Sequence, residues 1–212
     1  MGNINSSIMK HVKDNVWLYF FVILFFAIGL SVGAFTSKAL DTDSKQNILI
    51  FMNNFFHTIG NENVESKAVF VRAFKNNIQF IIIIWLLCLT YIGVPIVFLV
   101  DLFRGFILGF TISFCIQSMG LKGLLFLIIA VVPQNIIYVP CIIVASALAV
   151  DYGLSIFKRN VNKVYYHKNN TNLINLSLIL AIIFLIMTVA SMYEAFVVPT
   201  IIKKLSSFLI IQ

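Results

Sequence analysis

The 28 residues GLLFLIIAVVPQNIIYVPCIIVASALAV, Gly123 to Val150, carry no charged side chain, yet Pro133, Gln134, Asn135, Tyr138 and Pro140 sit near their middle. At 1.5 Å of rise per residue, such a helix reaches about 42 Å, more than the roughly 30 Å hydrocarbon core of a bilayer. It therefore spans with a tilt or a kink. Pro133 leaves the carbonyl of Ile129 without its helical donor, and Pro140 does the same to Ile136. Neither carbonyl can turn to water in hydrocarbon. Gln134 and Asn135 bring side-chain donors to the neighbourhood and are themselves costly against lipid, so their face is expected to lie against other helices. Two readings follow. The polar centre either specifies how a helix bundle assembles, or forms a substrate or ion site of the kind transporters build from broken helices. Packing is favoured, because no carboxylate, histidine or basic side chain lies in the stretch.

The rest of the chain has the same character. Of its 212 residues 60% are apolar and 11% charged, and the mean hydropathy is +0.99. This composition implies an all-α integral membrane protein with about five transmembrane helices and one short amphipathic extramembrane helical segment. Residues 1–15 read as a cytoplasmic N-terminus, 16–200 as a single polytopic membrane domain and 201–212 as a tail. The spans are expected at about 16–35, 78–100, 103–119, 123–150 and 173–198, with an outer loop at 36–77 and a basic inner loop at 151–172. The uninterrupted apolar part of the third, Gly105 to Met119, is only 15 residues, about 22 Å of helix. It crosses only if Arg104 and Lys122 snorkel, or else it re-enters. Lys10 and Lys13 precede the first span without an obvious cleavage site, as in an uncleaved signal anchor.

The net charge of +7 comes from clusters beside apolar runs, which suits anionic lipid head groups and not nucleic acid. The densest cluster, Lys158, Arg159, Lys163 and Lys168, places that loop and the N-terminus inside. Cys88, Cys115 and Cys141 lie in apolar segments and are odd in number, so neither a disulfide framework nor a metal site is expected. In the outer loop, Asp43 and Gln46 resemble a capping box ahead of Ile48, Met52, Phe55, Phe56 and Ile59 at helical spacing. That amphipathic helix lies on the membrane or the bundle, or offers a docking face to another protein. Val69, Phe70 and Phe74 form a second short pattern leading into the second span.

Glu194 is the only carboxylate of the fifth span and is expected to face the protein interior. Arg104 would lie near the opposite leaflet, so the polar groups around Pro133 are the more reachable partners, with Tyr138 as donor. Asp101 and Arg104, one turn apart at an expected membrane boundary, suggest a local ion pair. Gly29 with Gly33 and Gly105 with Gly109 have the spacing that lets helix backbones approach closely. No catalytic motif occurs, no cofactor is implied, and self-association stays open.

These residues carry a resemblance. From about Trp17 to Pro199 the chain resembles the stage II sporulation protein M family, through IGVPI with Gly93 and Pro95, RGFILGFT with Arg104, Gly105 and Gly109, and MGLKG with Met119, Gly120 and Gly123. VPQN with Pro133, Gln134 and Asn135, and EAFVVP with Glu194, Ala195 and Pro199, complete it. The wider family often has Pro-His-Gly-x-x-Glu-x-Pro where this chain has Pro133 to Pro140, and Gln134, Asn135 and Tyr138 replace the His, Gly and Glu. The resemblance implies a non-enzymatic scaffold of engulfment on the mother-cell side of the sporulation septum. Its implied partners are two peptidoglycan-cleaving proteins, stage II sporulation proteins D and P, besides membrane lipids. The alternative is a small transporter or channel that uses the broken fourth helix. The topology has a direct test: single cysteines placed in 36–77 and in 158–168, in a chain lacking its native three, are expected to be labelled from opposite faces of the membrane in cells.

Overall fold

In hydrocarbon a chain can satisfy its backbone only by folding each crossing segment into a helix or by closing a barrel. This chain takes the first route throughout. The computed structural model describes residues 13, 15–61, 66–90, 92–162 and 173–209, and side chains within these ranges except 55–61, 157–162 and 204–209. The helices are α1 (Val16–Ala39), α2 (Thr42–Asn61), α3 (Ser66–Cys88), α4 (Gly93–Met119), α5 (Leu121–Phe126), α6 (Val132–Asn162), α7 (Leu173–Met192) and α8 (Val198–Leu209). π-helical turns at Leu127–Val131 and Tyr193–Val197 join α5 to α6 and α7 to α8 as continuous rods. Five rods are long and apolar enough to cross a membrane. The protein is an all-α, multi-pass membrane protein.

Several expected boundaries move, for physical reasons. The second span ends at Cys88, short of residue 100, and the third begins at Gly93, well before 103. Between them lies a tight turn in which the Gly93 amide donates to the carbonyl and hydroxyl oxygens of Thr90, at 3.1 and 3.2 Å. The turn is built largely from apolar residues, so hydropathy alone runs straight through it. A methyl group on Gly93 would strike the Leu87 carbonyl, and Pro95 stands in the first turn of α4, where its missing N–H costs nothing. The third span is thus 27 residues, about 40 Å, and needs neither snorkelling nor re-entry. α1 runs on to Ala39, the helices α2 and α3 fill most of the expected outer loop, α6 extends to Asn162 and α8 occupies most of the expected tail. Asp43 falls inside the first turn of α2, where it complements the helix dipole, and is not its cap. The side chains of Phe55, Phe56 and Ile59, residues 62–65 and most of the basic loop lie outside the described set.

α6 is the centre of the bundle. Every residue from Ala145 to Val150 is buried, and six consecutive buried positions go fully round a helix. Its neighbours are α1, α3, α4 and α7. Phe80, Ile84, Val97, Ile142, Leu180 and Met187 pack in one half of the bundle. Cys115, Met119, Leu127, Val131, Val198 and Ile202 pack in the other, with Met52 of α2 against them. α2 and α8 therefore lie together at the end of the bundle away from the Thr90 turn. Large apolar side chains such as Phe35, Leu99, Ile136 and Leu185 are exposed round the outside, as lipid-facing residues are.

The most extensive contact joins α1 to α4, which run parallel. A Cβ at Gly29 would collide with the Leu102 carbonyl, at Gly33 with Phe106, at Gly105 with Phe26 and at Gly109 with Leu30. The two small-xxx-small pairs thus face each other, and backbone meets backbone. Beyond them the row continues with polar groups: the Ser113 hydroxyl donates to the Ala34 carbonyl at 3.1 Å, and Gln117 reaches Ser37 at 3.4 Å. Gly33→Leu or Gly105→Leu is expected to lower bundle stability by at least about 2 kcal/mol in a denaturation series in micelles. Leu99→Ala, at a position 60% exposed, should stay within about 0.5 kcal/mol.

Candidate functional site

A belt of polar side chains crosses the bundle where α3, α4, α6 and α7 meet. Asn77 of α3, buried, donates one amide hydrogen to the Ser191 hydroxyl at 2.8 Å and the other to Tyr138 Oη at 3.2 Å. Tyr138 Oη in turn donates to Glu194 Oε2 at 3.3 Å and lies 3.2 Å from Ser191 Oγ. Four side chains from three rods therefore form one hydrogen-bonded cluster. In lipid such a cluster is a strong constraint, because each member would otherwise face a medium with no partner to offer.

The proline break is repaired from outside its own helix. Tyr193 Oη donates to the Ile129 carbonyl at 3.0 Å, the very oxygen that Pro133 leaves without a donor. Ile129 lies in one π-helical turn and Tyr193 in the other, so the bond ties the two irregular turns together. Widened turns of this kind expose carbonyls and redirect side chains. Asn135 is the local donor, its amide reaching the Val131 carbonyl at 2.8 Å. Gln134 makes no such repair: its Oε1 is buried without a hydrogen-bond partner. Pro140 is exposed on the flank of α6.

Asp101 and Arg104 require a correction. They lie inside α4, where Arg104 is eleven residues from Gly93, about 16 Å along a helix of about 40 Å, and so at mid-membrane depth. It is the expected boundary position that fails: the two charges still attract each other along α4, while their close contacts are made with different helices. Asp101, fully buried, accepts a hydrogen bond from the Ser146 hydroxyl of α6 at 2.7 Å, and its Oδ2 has no partner. The Arg104 guanidinium lies over the Phe80 ring of α3, 4.5 Å from its centroid. A cation on an aromatic face replaces part of the lost hydration. A recess of about 530 Å³ opens beside it, its polar walls supplied by Arg104, Asn76, Gln79, Gln134, Asn135 and Tyr138.

The structure brings Arg104, Gln134, Asn135 and Tyr138 to one recess, places Glu194 behind it through Tyr138, and sets Gly29, Gly33, Gly105 and Gly109 in the separate α1–α4 contact. Asn77, Ser146, Ser191 and Tyr193 escape the sequence reading. Asn77 stands at the edge of the expected outer loop, and Ser191 and Tyr193 lie within one turn of Glu194, which is the only signal pointing to them. Among the described residues no three His, Cys, Asp or Glu side chains gather as a metal-binding set.

Residues 22–199 match the family described as Stage II sporulation protein M. The chain belongs to that family. It is a multi-pass membrane protein of a sporulation family. No curated protein and no solved structure matches it. The match to the stage II sporulation protein M family covers both glycine pairs, the belt and the recess, and ends at Pro199, just past Glu194 and Tyr193.

Tyr193→Phe removes the side-chain donor to the Ile129 carbonyl without changing side-chain shape. It is expected to cost about 1–2 kcal/mol of stability in micelles, near the upper range for an interhelical hydrogen bond in a membrane protein. Asn77→Leu, which removes the amide's bonds to both Ser191 and Tyr138, should cost more in the same titration.

Proposed function

We propose that this protein is a non-enzymatic scaffold of the engulfment machinery, which gathers two peptidoglycan-degrading partners, stage II sporulation proteins D and P, at the mother-cell side of the septal membrane. The observation that carries the reading is the use made of intramembrane polar side chains. Asn77, Tyr138, Ser191 and Glu194 are bonded to one another, Tyr193 to a stranded carbonyl, and Asp101 to Ser146. They hold helices in register, as a platform requires. Family membership supplies the sporulation setting.

The partner-facing part is the platform of α2 on α8. Met52 turns inward to the core, whereas Ile50 and Phe51 are exposed, at 58% and 72%. This apolar pair suits a membrane-proximal segment of a hydrolase confined to the same surface. Tethering raises the local concentration of enzymes already restricted to two dimensions, so weak single contacts suffice. A second reading, a small carrier or channel, has the recess beside Arg104 in its favour. Its polar lining comes from α3, α4 and α6, and the sequence shows no internal repeat of the kind that alternating access uses.

Affinity purification of the tagged full chain from sporulating cells is expected to recover both hydrolases. Ile50→Glu with Phe51→Glu should reduce that recovery several-fold while leaving chain abundance unchanged. Solute flux through the purified chain in liposomes, with no hydrolase recovered, would replace the scaffold by the carrier.

A further inference from the structure

The outward face of α3 carries amides at a depth where lipid is expected. Arg72, Asn76, Gln79, Ile83 and Leu86 are all exposed and recur at spacings of four, three, four and three, the 3.5-residue period of a seam against one neighbouring helix. Ile83 and Leu86 suit lipid as well as they suit a helix. Asn76 and Gln79 do not. Asn76 precedes and Gln79 closely follows Asn77, whose bonds to Ser191 at 2.8 Å and to Tyr138 at 3.2 Å set its height in the belt. Both therefore stand within about 3 Å of that height along the helix. From Cys88, the last residue of α3, they are about 18 and 14 Å away, well inside a hydrocarbon core of about 30 Å.

Their side-chain amides have no hydrogen-bond partner among the described residues. Lys75 is long enough to carry its ammonium toward the head groups, whereas the shorter amides stay at their own depth. Acyl chains offer them neither donor nor acceptor, so the group that satisfies them is a polar side chain of another helix. Phe103 and Ile107 of α4, also exposed, line the same recess as Asn76 and Gln79 and give that helix a groove to lie in. Charge narrows the choice of occupant. Arg72, about 24 Å from Cys88 along α3, lies with Lys67 and Lys75 on an exposed surface that no acidic residue lines. The incoming helix is therefore expected to bring a carboxylate at its α2-side end and an amide, hydroxyl or carboxyl group about 6 to 10 Å deeper. A second copy does not meet this need. Two copies side by side in one membrane would set Arg72 and Lys75 against their own kind, and the carboxylates described in the five rods are poorly placed: Asp101 is buried, Glu194 is bonded to Tyr138, and Asp151 is two residues from Gly153, beside the Thr90 turn at the opposite end.

We infer that the α3 face from Arg72 to Leu86, with Phe103 and Ile107 of α4, seats a membrane-spanning helix of one of the two hydrolases, whose polar side chain bonds Asn76 and Gln79 and whose acidic end meets Arg72. The inference rests on the scaffold reading and adds a contact inside the bilayer to the α2–α8 platform. Two contacts on one partner reinforce each other, because the first raises the effective concentration for the second.

Photo-crosslinking in sporulating cells tests it. A benzophenone amino acid replaces Ile83, Phe51 or, as a lipid-facing control, Leu185 in the full chain, and adducts are blotted for stage II sporulation proteins D and P and for the chain itself. An adduct with one hydrolase is expected from position 83 and none from 185. Asn76→Leu with Gln79→Leu, which suits lipid better than the native pair and so keeps chain abundance unchanged, should lower recovery of that hydrolase about tenfold, the size of two interhelical hydrogen bonds. Arg72→Glu should lower it several-fold. A hydrolase adduct from 51 but not from 83, or recovery left unchanged by either variant, overturns this seat while the scaffold stands. An adduct between two copies from position 83 makes the face a self-association surface and overturns it too. If the unmodified chain recovers no hydrolase at all, the scaffold reading falls and this inference with it.

Discussion

One hydrogen bond organises the polar centre of this bundle: the Tyr193 hydroxyl on the Ile129 carbonyl. Pro133 forces the need for it, since a carbonyl stranded in hydrocarbon has no water to accept from. The donor comes from a different rod, and that choice fixes the height of α7 and α8 relative to α5 and α6. Once the height is set, Ser191 and Glu194 fall opposite Tyr138, and Asn77 of α3 closes the cluster. A local defect in one helix is thereby converted into a register for three. This is what distinguishes polar glue from greasy contact in a membrane, where lipid competes on equal terms for every apolar face.

The glycine contact of α1 with α4 works by a different principle. There is nothing to pair at Gly29, Gly33, Gly105 and Gly109 themselves; their use is that two backbones come close enough for the surrounding side chains to interlock. Ser113 and Gln117 add hydrogen bonds only at one end of the interface. The molecule thus combines a close-packed pair with a hydrogen-bonded group of helices, and the all-round buried segment Ala145 to Val150 of α6 joins them.

The class of the protein was legible in composition, and the importance of Pro133 and Glu194 in the cost of placing such groups in lipid. Glycine spacing marked both partners of the α1–α4 contact but could not say that they meet each other. The span boundaries near Thr90 were illegible because the turn that joins two spans is itself built largely from apolar residues. Reading Asp101 and Arg104 as an interface followed from the same error: charge normally marks a membrane edge, and here a buried serine and an aromatic ring accommodate it at depth. Tyr193 was overlooked because tyrosine is common near membrane surfaces, and only three-dimensional placement shows which carbonyl it serves.

The parallel pairing of α1 with α4 also bears on biogenesis. Because α1 leaves the ribosome before α4, its glycine face has no partner until α2, α3 and the Thr90 turn have been made and α4 arrives beside it. A chain interrupted before α4 would hold an unmatched, sticky surface in the bilayer, open to any passing helix with a similar small-residue face. Quality-control proteases that survey the membrane would meet nascent copies of this protein in that incomplete condition.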